Sequence, residues 1–375
     1  MKSYVAGLVL LVFPGVLSLT AQEKQNFVFN PSSPEGQILQ QLGQETDDLK
    51  KISLAEDFLG KYPKHEAAGW VAAQLESGLL ATKDDDKVLT VAEAAYANGP
   101  DMDAAYYALK AAVAKDDLAE AKKWSARTSE AAHKIISSTK TTNADDKQQL
   151  EYAKQVDEYS EYALYVLALK AQPKDEVDLV DTLIKQNPKS QYLPEVANSY
   201  FAALSKAGEG AKACPAAAKM ATDKNAEAML FAADCSWRAN RAEPVVSYAA
   251  KAAEVLNTRA KREGVSDADW SSQKAALLGT ANFYTGVGYT MQMRYGPANK
   301  ALRAALPAIK GNQQTYAIAL FDLGMANYSL GKSLGDKAQM RQGLQFFQQS
   351  AEIGGPMQDQ ASRNVKLVLA ELGGK

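Results

Sequence analysis

Apolar residues recur along this chain at intervals of three and four, in stretches of about 12 to 20 residues. Short groups of Gly, Pro, Asn or Asp separate the stretches, among them Tyr62-Pro63, Asn98-Gly99-Pro100, Gln172-Pro173, Asn187-Pro188 and Gly354-Gly355-Pro356. A three-and-four spacing gathers apolar side chains on one face of a helix, and such breakers end a helix before the next begins. No stretch alternates apolar and polar residues convincingly enough for a strand. The pattern predicts an all-α chain from Gly36 onward. Abundant alanine and the scarcity of β-branched runs favour helix further, because alanine and straight-chain residues lose little side-chain freedom there.

The helices come with a rhythm. From Asn282 to Asn312 a small residue, Gly286, precedes an aromatic, Tyr289; after a turn at Tyr295-Gly296-Pro297 come Ala298, Leu302 and Ala305. The next stretch repeats the plan, with Leu320, Leu323, Gly324 and Tyr328 on a first helix, Gly331 at the turn, and Phe347 and Ser350 on a second helix. Its turn is longer by about seven residues, read as an insertion near Ser333. Weaker copies are Leu230, Ala233, Trp237, Val246, Ala250 and Ala253, and Leu75, Leu79, Val88, Ala92, Ala95 and Pro100. "DLAEAKKW" (Asp117 to Trp124) resembles the start of a second helix, and "LVDTLIKQNPKS" (Leu179 to Ser190) the end of one.

This arrangement resembles the tetratricopeptide repeat, two antiparallel helices in about 34 residues, in which a small residue on each helix permits close approach. The resemblance implies an all-α, right-handed α-solenoid of about seven to eight helix pairs between Gly36 and Leu372. The segment from Asn143 to Ala171 exceeds a repeat helix and would bend or divide the solenoid. In this family the first helices line a concave groove that holds a peptide or a partner helix. Carried over, the groove-facing residues are Phe231, Phe283, Val287, Phe321, Met325 and Tyr328, although the same side chains could instead fill the core between repeats. The basic and Asn residues with which some members clamp a C-terminal carboxylate are absent. Tyr284 and Asp322 stand in their places, so that ligand is not implied.

The N-terminus reads as a secretory signal: Lys2, an apolar run from Tyr4 to Leu19, and a cleavage point after Ala21. An uncleaved membrane anchor is the alternative, disfavoured by a short run that contains Pro14-Gly15. No later stretch approaches about 18 uninterrupted apolar residues, so the mature chain is expected to be soluble and without stable membrane insertion. The expected organisation is a signal over 1–21, a flexible polar leader over 22–35, degenerate repeats over 36–262, and better-formed repeats with a capping helix over 263–375. A periplasmic or secreted location follows from the signal.

Charge narrows the partners. With 42 basic and 44 acidic residues, a net charge of -2 and no long basic run, nucleic acid and anionic membrane surfaces are poor candidates. The two cysteines, Cys214 and Cys235, could form one disulfide in an oxidising compartment, or could simply be two small buried side chains.

Candidate chemistry is sparse. Gly331-Lys332-Ser333 lacks the upstream glycine and the preceding strand of a phosphate loop, so Gly331 is read as the left-handed stop of a helix. Gly286-Val287-Gly288 lacks the third glycine of a dinucleotide site. His65 and His133 have no neighbouring ligands or orienting groups in sequence. Asp84-Asp85-Asp86 lacks the alternation of a calcium loop and suits a helix start. No cofactor is expected. The expected function is therefore a non-enzymatic scaffold that binds a protein or peptide partner. Two alternatives are a glycan or small-ligand protein using Trp70, Trp124 and Trp270, and an enzyme with two facing carboxylates about 5 to 10 Å apart.

Overall fold

The computed structural model describes residues 27–97, 99–261 and 264–373, so the expected signal peptide lies outside the described residues. Every regular element among the described residues is helical, and the chain divides into two compact units, the first ending at Tyr192 and the second beginning at Leu193. No helix among the described residues is long and apolar enough to cross a membrane.

The first unit contains α1 (Pro34–Gln44), α2 (Asp48–Lys61), α3 (Ala68–Ala81), α4 (Asp85–Ala97), α5 (Met102–Ala114), α6 (Leu118–Ser138), α7 (Ala144–Ala168) and α8 (Pro173–Gln186). Each packs on the next, and α3, α5 and α7 also touch side by side, forming one layer. Short acceptors start the helices. Asp47, Asp101, Asp117 and Asn143 each take a backbone N–H three residues on, and Asn143 forms a reciprocal capping box with Asp146. The acidic run behaves likewise: Asp84 accepts from the Lys87 N–H at 3.4 Å, while Asp85 and Asp86 occupy the first turn of α4. The long segment from Asn143 is a single helix, α7, of 25 residues.

The polar leader is shorter than the sequence implies. Phe27 and Phe29 pack on the cluster of Leu39, Phe58, Val71 and Leu79, and Phe27 lies 5.9 Å from the Trp70 ring. Ser33 accepts from the Gly36 N–H and α1 has already begun at Pro34. Two aromatic side chains offer more apolar surface than the surrounding polar residues can keep in water.

The second unit contains α9 (Leu193–Lys206), α10 (Ala213–Met220), α11 (Ala226–Arg238), α12 (Ala242–Thr258), α13 (Asp267–Met291), α14 (Tyr295–Ile309), α15 (Gln313–Leu334), α16 (Lys337–Ile353) and α17 (Gln358–Glu371). Here α9, α11, α13 and α15 touch in succession as one layer. The expected boundary at 262/263 falls inside this unit, at residues outside those described. Cys214 and Cys235 form a disulfide that joins α10 to α11, with their Cα atoms 5.8 Å apart.

Close helix approach is concentrated at small residues. A Cβ on Gly324 would lie 2.5 Å from the Phe347 ring, and one on Gly286 would lie 2.4 Å from Leu302. Gly331 is a packing position of the same kind and does not end its helix. A Cβ there would meet the Met340 nitrogen at 2.7 Å and the Asp336 oxygen at 2.8 Å. The left-handed stop is Gly335, with φ 67°, so of the residues read as an inserted turn Ser333 and Leu334 lengthen α15 and Lys337 to Gln339 open α16.

Two further expectations shift. The turn before α14 is at Gln292 to Arg294, with Met293 at φ 57°, and Tyr295-Gly296-Pro297 already belongs to the helix. In α12 the buried residues are Val245, Ala249, Ala252 and Leu256, one position before the expected Val246, Ala250 and Ala253. Apolar residues stand at both sets of positions, so the broad stripe left the register open until packing chose it.

Candidate functional site

Of the six residues expected to face a groove, three are core. Phe283 and Val287 are 2% exposed and pack with Leu302, Ala305 and Leu323. Phe321 is 6% exposed and joins Phe347, Ala361 and Val368, with half-buried Met325 and Tyr328 against the same cluster beside α17. Lys332 donates to the Tyr328 hydroxyl at 3.1 Å and pairs with Glu371 of α17 at 2.7 Å. Phe231 stacks on Phe201 with ring centroids 4.0 Å apart. A residue one place beyond a packing position turns by about 100° around the helix, and here that direction meets the adjoining helix pair. Trp124, expected to be exposed, is fully buried, and its indole N–H donates to Glu120 at 2.9 Å. Trp70 and Trp270 are half-buried.

The structure places an open feature elsewhere, on the layer of α9, α11, α13 and α15 in the second unit. A pocket of about 600 Å³ lies where α11, α13 and α15 converge, and its walls include Trp237, Tyr284, Thr315 and Ile318. Local helix geometry builds it. Asp234, Trp237 and Arg238 fall at i, i+3 and i+4 on α11 and so share one face. Phe283 and Tyr284 come from the middle of α13, and Asn312 caps α15 by accepting from the Thr315 N–H at 3.1 Å.

The pocket joins an aromatic wall to one ion pair. The Trp237 ring stands 6.0 Å from Phe283, edge to face, and 6.3 Å from Tyr284. The Tyr284 hydroxyl donates to Asp234 Oδ1 at 3.0 Å, and Arg238 Nη2 pairs with Asp234 Oδ2 at 2.8 Å. Burial, reinforced by the adjacent Asp234 carboxylate, raises the pKa of the Tyr284 phenol, so it remains a donor. With both Asp234 oxygens engaged, the Arg238 guanidinium, 76% exposed at its side chain, is the charged group left open on the rim. The disulfide half-cystine Cys235 adjoins Asp234 on α11, which ties this end of the pocket to α10. Apart from Phe283, the pocket residues were missed as site residues, Trp237 being read only as a packing position. An Asp-Arg pair four apart with a Trp between them, on a helix whose only other charged residue is Glu227 in its first turn, was the available signal.

Among the buried carboxyls of these helix layers, Glu76 and Asp322 stand apart. Glu76 of α3 is fully buried and neither carboxyl oxygen has a hydrogen-bond partner. Burial, then the nearby Asp101 and Asp103, pushes its pKa up to about 9. Asp103 itself accepts from the Tyr152 hydroxyl at 2.6 Å. Asp322 of α15 is 9% exposed, and burial alone pushes it up to about 8.

Both histidines have local partners. His65 Nδ1 accepts from the Ala67 N–H at 3.0 Å, and His133 Nε2 lies 2.8 Å from Asp157. Among the described residues no group of three or more His, Cys, Asp and Glu side chains is placed to hold a metal ion. Comparison of the chain with models of known protein families gives no match, and comparison with curated proteins gives none either.

Proposed function

We propose that this chain is an exported, non-enzymatic interaction protein built as an α-solenoid of right-handed, tetratricopeptide-like helix pairs. The layer of α9, α11, α13 and α15 in the second unit would hold a segment of a protein partner. The observation that carries this reading is the pocket between α11, α13 and α15, with Trp237 and Tyr284 as its aromatic wall and Arg238 on its rim. Binding surfaces draw most of their energy from a few aromatic and arginine anchors in a desolvated centre, and these residues supply that set. The supporting groups are the ion pair and the Tyr284 hydrogen bond, which hold the anchors in place before a ligand arrives.

A photo-crosslinking residue at Gln314, on the pocket wall, tests the proposal in native envelope. We expect adducts to a specific protein that disappear in the Trp237→Ala background. Adducts that persist unchanged in that background would remove the pocket from the function. A small-ligand reading draws on the same volume, which falls in the usual range for such sites, about 300 to 1,000 Å³. It predicts that a soluble oligosaccharide, rather than a protein, blocks crosslinking.

A further inference from the structure

The row of side chains that lines the pocket along α15 continues beyond it. Thr315 and Ile318 are wall residues, and Asp322 follows Ile318 by four, on the same helical face and about 6 Å further along the axis. Asp322 is 9% exposed, and among the described residues its carboxyl has neither a hydrogen bond nor an ion pair. Its surroundings on this layer are neutral. Between Gln313 and Gly331 it is the sole charged residue, and α13 carries none from Ala275 to Met291.

A buried carboxyl without a partner is costly, and a cation brought to it by a ligand would relieve that cost while forming a charge-assisted bond. Resting on the pocket reading above, we infer that Asp322 is the ionic anchor for a lysine or arginine side chain of the segment that occupies the pocket. The occupant thus has a basic residue next to an aromatic or large apolar one. Arg238 on the opposite wall disfavours a cation at that end, so the segment lies with its basic residue towards α15.

Fluorescent peptides of eight residues, each with one Trp and, two to four residues on, Lys, Arg, Gln or Glu, provide the probe. Anisotropy titrations would use the full chain and its Asp322→Asn, Asp322→Lys and Trp237→Ala variants. Asp322→Asn keeps the shape and removes an uncompensated acid, so folding is retained. The Lys and Arg peptides should bind about tenfold more tightly than the Gln peptide, as expected for a hydrogen bond to a charged group. Asp322→Asn should erase that preference, and Asp322→Lys should transfer it to the Glu peptide. Binding that depends on Trp237 but ignores the charge of the peptide would overturn the Asp322 assignment and leave the pocket standing. Absence of any Trp237-dependent binding would overturn both.

Discussion

Glu76 illustrates what one side chain can impose. It sits between Leu75 and Leu79 on α3, at 0% exposure and without a hydrogen bond. Its pKa is raised from 4.5 to about 9, so the folded chain holds a proton that the unfolded chain releases. The stability it permits is full below the unfolded value and falls as pH rises through the window from about 4.5 to 9, by at most about 1.4 kcal/mol per pH unit. Urea unfolding at pH 5.5 and 8.5 should show this decline for the native chain and a flatter profile for Glu76→Met. Replacing the unpartnered acid should also stabilise the folded state at pH 8.5 by about 1 to 3 kcal/mol. Equal slopes in the two proteins would refute the assignment. In the sequence Glu76 is one acid within an apolar stripe. Its isolation was invisible, because sequence does not reveal that Asp103 is already engaged by Tyr152, 49 residues away.

At the scale of elements, α15 and α16 show how small residues set distance. Gly324 admits the Phe347 ring, which is fully buried, and Phe347→Ala should cost about 3 to 5 kcal/mol in chemical unfolding. Gly331→Ala is a sharper case. Alanine is the better helix former by about 1 kcal/mol, yet its Cβ would lie within 2.8 Å of Met340 and Asp336 backbone atoms, so we expect net destabilisation. A gain in midpoint would return Gly331 to the role of a helix end. Helix existence was legible because the three-and-four periodicity is strong and the breakers are frequent. The end of α15 was not, since Gly331 and Gly335 read alike in sequence and only contact with α16 separates a packing glycine from a left-handed one. The one-residue shift in α12 has the same origin: valine and alanine stand at both candidate registers, and only the packing of α11 and α13 around α12 separates them.

Across the whole chain, the all-α class and the sequential packing followed from local signals, whereas the candidate site did not. Trp237, Tyr284 and Ile318 lie on three helices separated by other helices, and no local pattern records that they converge. Phe283, Val287 and Phe321 seemed equally available in sequence, and the packing of adjoining pairs buried them. The disulfide is the one covalent long-range tie, closing 21 residues between α10 and α11. Its reduction should destabilise the second unit by about 3 kcal/mol, the cost expected for a loop of this size. Hydrogen exchange with and without reductant should localise the loss to α10 and α11, and uniform exchange over the unit would contradict that.

The helix layer that carries the pocket has a mechanical consequence. α11, α13 and α15 each pack far more extensively on the intervening helices than on one another, so their mutual spacing is held chiefly through those neighbours. A segment bound as proposed would touch all three helices and resist any change in their separation, so a change in that spacing would be felt by the pocket as a change in grip.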